Sequence, residues 1–333
     1  MPDKARVWTD KRLEVMERHL TAVYTQAQEE IGEKWEAYMQ RAEKRLENLY
    51  NAYLSAPPDK KQEYLQKYQA ALQNATLKNK WYRDMIDETT LRLANVNKIA
   101  SDYINDQIPA IYATNYNYID PELKSVGIKW TLRDEHTVRN MMKDTLPLPQ
   151  RTLNYAKDML WNRRQINSAL LQGILQGESI PKMAKRLYPI VGNNKVSAIR
   201  TARTMVTGAE NRGRQDRYED YEEKGVVMNK VWIATPDNRV RNWHLSMDGQ
   251  EVPTDESFID GLGNELEYPG DPSAPGNTVY NCRCSMKSHI IGMRQSDGTI
   301  KRIRYEGDTP TMHARQIAEE RARREAEQED FYD

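Results

Sequence analysis

The sequence predicts an α+β protein, with a long N-terminal helical hairpin and helical body followed by a small loop-rich α+β module. Three observations carry this. From about Thr9 to Tyr53 there is no proline and one glycine, and apolar residues recur at helical spacing. Strand-like patterning begins only after Val226. Between Trp232 and His289 the chain holds both cysteines around an excursion, roughly Thr254 to Thr278, with glycine or proline every few residues. A long loop inside a domain is uncommon and often functional.

The first helix has its apolar residues at Leu13, Met16, Leu20, Tyr24, Ala27, Ile31, Trp35, Tyr38, Ala42, Leu46, Leu49 and Tyr53. Leu13, Tyr24, Trp35 and Leu46 are equivalent positions of an 11-residue repeat, which gives a nearly straight or slightly right-handed stripe instead of a heptad seam. At 1.5 Å per residue the helix is about 65 Å long. Pro57-Pro58 ends it, because proline lacks the amide donor and clashes with the preceding turn. A second pattern, from Tyr64 through Leu72, Ile86, Leu93 and Ile104 to Ile108, predicts a helix folding back on the first. Shorter helices are predicted over 133–146, 151–175 and 179–188, and a longer one over 194–224. Strands follow at Val226–Ala234, Cys284–Met293 and Ile300–Tyr305, with turns at Asp248-Gly249 and Asp297-Gly298. The tail from about Pro310 is charged on nearly all faces, so it reads as a weakly tethered helix or disordered chain. The expected divisions are 1–115, a long helical hairpin; 116–190, a helical connector; 191–306, the α+β module; and 307–333, the tail.

Composition narrows the function. Lys plus Arg is 49 and Asp plus Glu is 49, so there is no excess basic charge to hold nucleic acid. Nineteen tyrosines against two phenylalanines suit half-buried faces and protein interfaces better than a dry interior. No apolar run reaches the ~18 residues of a membrane span, and the N-terminus has no signal-like apolar region. Two closely spaced cysteines do not form a disulfide framework. Phosphate-loop, dinucleotide-binding, nucleophile-elbow and HExxH motifs do not occur.

The segment 232–289 has two chemical readings. Alternate residues of an extended segment share a face, so Cys282 and Cys284 point together with Arg283 opposite. With His244 and His289 they are candidate ligands for zinc, with Asp237 or Asp248 as other sources of a fourth ligand. A direct Cys282–Cys284 disulfide would close a small strained ring, and two thiols packed in a core are the plain alternative. The second reading is catalytic. Arg239, Arg241, His244 and His289 contain the parts of an acid/base pair with a phosphate clamp, with His244 and Arg241 as the candidate residues. Arg200, Arg203, Arg212, Arg214 and Arg217 form a possible basic face, although Glu210, Asp216 and Glu219 interleave with them.

The ordered set Ala202-Arg203-Thr204, Trp232, Asp237, Arg239-Val240-Arg241, His244, Asp248-Gly249, Phe258, Pro269, Asp271-Pro272 and Asn281-Cys282-Arg283-Cys284 resembles the phage head morphogenesis, or Mu F-like minor head protein, family. The resemblance spans about Lys195 to Ile291. Met205 departs from it, standing where an acidic residue often follows the Ala-Arg-Thr triplet. The resemblance implies a minor capsid protein of a tailed phage, associated with the portal and other head proteins. Its expected roles are head assembly, DNA packaging or DNA delivery. It implies residence in the head interior near the portal and in the host cytoplasm during assembly. Contact with packaged DNA and self-association are compatible with it. Related modules are also fused to toxin enzymes, so the competing expectations are a nuclease-like or transferase-like enzyme centred on His244 and a DNA-binding internal head protein.

Overall fold

The structure is a computed structural model that describes residues 3–73, 80–118, 128, 131–144, 146, 148, 153–176, 178, 180–235, 237 and 239–302. Its helices are α1 (Lys4–Leu54), α2 (Lys61–Gln73), α3 (Lys80–Asn117), α4 (Glu135–Asp144), α5 (Tyr155–Leu175), α6 (Ile180–Lys185) and α7 (Tyr188–Glu222). The strand-bearing region then runs β1 (Val226–Ile233), α8 (Asn242–Leu245), β2 (Glu251–Pro253), β3 (Phe258–Ile259), β4 (Glu265–Leu266), α9 (Gly276–Val279), β5 (Ser285–Arg294) and β6 (Ile300–Arg302). The α+β expectation holds. The chain divides into two compact units: one of Met1–Met16, Ile104–Arg151 and Arg200–Asp333, the other of Glu17–Tyr103 and Thr152–Ile199. No helix among the described residues is long and apolar enough to cross a membrane.

In the second unit the predicted stripe of α1 is buried at Leu20, Tyr24, Ala27, Ile31, Trp35 and Tyr38. It runs antiparallel to α3, as paired contacts show: Tyr24 OH donates to Asn97 Oδ1 at 2.6 Å and Trp35 Nε1 to Thr89 Oγ1 at 2.7 Å. Asn97 also donates through Nδ2 to Asp158 Oδ2 (2.8 Å) and Asn194 Oδ1 (2.7 Å), and Asn194 Nδ2 donates to Asn162 Oδ1 (3.1 Å). One buried amide chain thus joins α1, α3, α5 and α7. Buried polar groups need partners, so such a chain favours one helix register over its neighbours. Asn194 was expected to begin a helix, but α7 starts at Tyr188. Pro189 lies in its first turn, where a missing N–H costs nothing. Residues 74–79, between α2 and α3, fall outside the described residues.

In the first unit the four-stranded antiparallel sheet has the order β2-β1-β5-β6. β1 pairs with β5 from Val226↔Met293 to Ile233↔Ser285, with one irregularity at Val227/Met228. The excursion between them is better ordered than its glycines and prolines suggest. Phe258 and Leu266 are buried anchors, and they bring β3 and β4 together as a two-stranded ribbon. The core beneath the sheet holds Tyr218, Tyr221, Met228, Trp232, Phe258, Tyr268, Met286, Ile290 and both cysteines. Residues 303–305 of the expected returning strand, and the charged tail, lie outside the described residues.

One inward position of β1 is a lysine. Lys230 is fully buried, donating from Nζ to Glu267 O (2.8 Å) and Gln215 Oε1 (3.2 Å), 5.4 Å from the centre of the Phe258 ring. Burial pushes its pKa down to about 8 from 10.5, although Glu267 and other acidic neighbours act the other way. Below pH ~8 both folded and unfolded states are charged, so the burial cost is fully present; it is relieved as pH rises towards ~10.5. Between pH ~7.5 and ~10, wild type should therefore gain on the order of 2–3 kcal/mol relative to Lys230→Met. Denaturant titrations of both proteins across that range check this, and a pH-independent difference rejects it.

Candidate functional site

The Asn281–Met286 segment is held by one face of α7. Asn281 N donates to Thr204 Oγ1 (2.8 Å), Thr207 Oγ1 to Cys282 O (2.6 Å), Asn211 Nδ2 to Cys284 O (3.2 Å) and Arg214 Nη1 to Met286 O (3.1 Å). Residues 204, 207, 211 and 214 recur every three or four positions, the spacing of one helix face. They therefore meet the strand at successive steps. Arg283 O accepts from Arg6 Nη2 and Thr235 Oγ1, both at 2.6 Å. The segment reaches β5 with its carbonyls satisfied by side chains, which a buried non-ladder backbone requires. Asn281 turns it in with a φ of 60°.

The alternation expected from the sequence is present. Cys282 and Cys284 face the core, and Arg283 points away to form an ion pair with Asp237, which that hydrogen bond holds below the usual carboxylate range. His244, in the one-turn helix α8, is 1% exposed, and its Nδ1 lies 3.6 Å from each cysteine Sγ. The ligand atoms of His244, Cys282 and Cys284 all lie within 4.8 Å of one another. Trp232 stands edge-on to the imidazole, with 5.5 Å between ring centres. Both cysteines are free thiols. The Cys284 thiol is raised well above its ordinary range by its hydrogen bond to Cys282 and by burial, while the same bond lowers Cys282.

The other sequence candidates are placed elsewhere. His289 points from the opposite face of β5, with Nδ1 2.6 Å from Glu251 Oε1. Asp248 Oδ1 accepts from Ala234 N at 2.9 Å. Arg241 donates to Tyr280 O, and Arg239 is exposed. The proposed acid/base pair with a phosphate clamp is therefore not assembled, since His244 and His289 lie on different sides of the sheet. The arginine row of α7 is split, with Arg200 exposed, Arg203 half-buried and the rest ion-paired or buried. Arg214 and Arg217 are buried, and Arg212 packs on Asp216 and Glu267. Sequence reading missed the latch of Thr207 and Asn211. Its signal was present as polar residues at 3-4-3 spacing inside a helix.

The loop seats itself on the same helix. Asp260 accepts from Leu262 N, Asn264 N and Thr278 Oγ1, tying together the two ends of the excursion. Gly270 has a φ of 84°, and a Cβ there would come within 2.8 Å of Gly208 N. Backbone thus packs directly on backbone, which only glycine permits.

Residues 164–287, which include the α7 face, His244 and both cysteines, match the family described as Phage Mu protein F like protein. Over these residues the chain is similar to Mu F-like proteins. Among curated relatives it is similar to "Minor head protein GP7" of Bacillus phage SPP1, with 26% identity over 299 residues, 84% of this chain and 94% of that protein. It is also 27% identical over 146 residues to "NAD(+)--arginine ADP-ribosyltransferase EFV" of Enterococcus faecalis (strain ATCC 700802 / V583). That match covers 44% of this chain and 29% of the relative, so the chain spans under a third of its length. No solved structure matches the chain significantly.

Proposed function

We propose that this protein is a minor component of the phage virion, bound to the portal inside the head and acting in head assembly, DNA packaging or DNA delivery. The observation that supports it most is the near end-to-end correspondence with a minor head protein, which takes in the helical regions as well as the Mu F-like segment. The site geometry agrees with an interaction role. His244 is enclosed in the core, and Arg241 is spent on a backbone carbonyl. The partners are the portal and other head proteins. Arg214 and Arg217 of α7 are buried, so any contact with packaged DNA rests on other side chains.

Co-expression with the portal protein of the same phage tests this. The full chain should co-purify with assembled portal rings and be retained in purified heads. Its absence from both by mass spectrometry would reject the proposal.

A further inference from the structure

We infer that His244 Nδ1, Cys282 Sγ and Cys284 Sγ bind one zinc ion, which fastens α8 to the start of β5. The geometry is that of a coordination edge. Zinc–sulfur bonds of about 2.3 Å and zinc–nitrogen bonds of about 2.0–2.1 Å, at tetrahedral angles, set N···S edges of about 3.5–3.6 Å. The observed separations are 3.6 Å to each sulfur. A hydrogen bond alone accounts for the arrangement poorly. Nδ1 has a single in-plane lone pair, which can receive one S–H, yet both sulfurs stand at the same distance from it. A cation at their common focus satisfies all three atoms at once.

The surroundings fit a thiolate site. Cys284 N donates to Cys282 Sγ at 3.4 Å, a backbone bond that favours sulfur as an acceptor. Two thiolates and a neutral imidazole around Zn²⁺ sum to zero, so a neutral complex occupies the core instead of a buried charge. Binding releases the two thiol protons to solvent, and the imidazole keeps its proton on Nε2. Asp237 and His289 are held by Arg283 and Glu251, and Asp248 accepts from Ala234 N, so the fourth position falls to water. His244 and Cys282 are 38 residues apart in sequence, and the ion closes the loop between them.

Elemental analysis of the full chain, purified without chelator, tests this. About one equivalent of zinc is expected in wild type and in His289→Ala. Less than about a tenth is expected in His244→Ala, Cys282→Ser and Cys284→Ser. Because a variant can lose metal by failing to fold, wild type is also stripped and titrated with Co²⁺, where thiolate-to-cobalt charge-transfer absorption should appear and saturate at one equivalent. Either of two results overturns the inference: wild type that neither carries zinc nor shows the cobalt band, or zinc retained by Cys282→Ser and lost from His289→Ala.

Discussion

Replacing Arg214 by methionine is expected to destabilise the first unit by about 3–5 kcal/mol, the cost of breaking a buried ion pair from one side. Its guanidinium lies 2.6 Å from Asp3 Oδ2 and 3.4 Å from Glu210 Oε1, and it donates to Met286 O and Asn115 Oδ1, both at 3.1 Å. Methionine fills much of the same volume and leaves all four acceptors behind. Arg6 still reaches Glu210 at 3.3 Å, which limits the loss at that carboxylate. The Met286 carbonyl and the Asn115 amide oxygen have no such relief. Lysine should not rescue, because one ammonium cannot span a fork that serves four acceptors. Arg200→Met, on the exposed side of the same helix, should change stability by less than about 0.5 kcal/mol. Denaturant unfolding followed by tryptophan fluorescence compares the three, and equal midpoints for Arg214→Met and Arg200→Met would contradict the assignment.

Gly213→Ala should destabilise by about 1–3 kcal/mol, against the direction helix propensity gives. Alanine is better than glycine inside a helix by about 1 kcal/mol, so on propensity alone the change would be favourable. A Cβ at Gly213, however, would lie 2.6 Å from Tyr112 O and 3.1 Å from Tyr116 N, both backbone atoms of α3. Neither can rotate away, so the helices must part. Parting them also disturbs the Tyr112 hydroxyl, which donates to Asp216 and accepts from Arg133 Nη1 at 2.5 Å. Gly192→Ala is the control, since its site in the other unit has nothing within 4 Å of a new Cβ. Thermal unfolding should separate the two, with Gly192→Ala neutral or slightly stabilising.

These two positions show where the sequence was readable. Periodicity located α1 and its buried stripe from Met16 to Tyr38, because helical spacing is a local property. The same pattern predicted burial as far as Tyr53, but Leu46, Leu49 and Tyr53 are only half-buried, since burial depends on what lies opposite. Strand alternation placed both cysteines on one face. It could not choose between His244 and His289 as their neighbour, because that depends on how the chain returns over the 38 positions from His244 to Cys282. The α7 arginines were harder still. Interleaved acids suggested ion pairing, but the partners that let Arg214 be buried include Asp3, from the far end of the sequence. Lys230 carried no local signal beyond its inward parity in β1.

The bond from Arg6 to the Arg283 carbonyl joins residues 277 positions apart. During translation at ~5–20 residues per second, Asp3, Arg6 and Thr9 must wait roughly 15–55 s for the last of their partners to be made. All of the second unit, up to Ile199, leaves the ribosome before α7 has extended far enough to receive them. The first unit is therefore closed by segments made far apart in time, Arg6 in one and Arg283 in the other. A chain stopped before Asn281 would keep its opening turn of charged side chains without the strand that the finished fold provides.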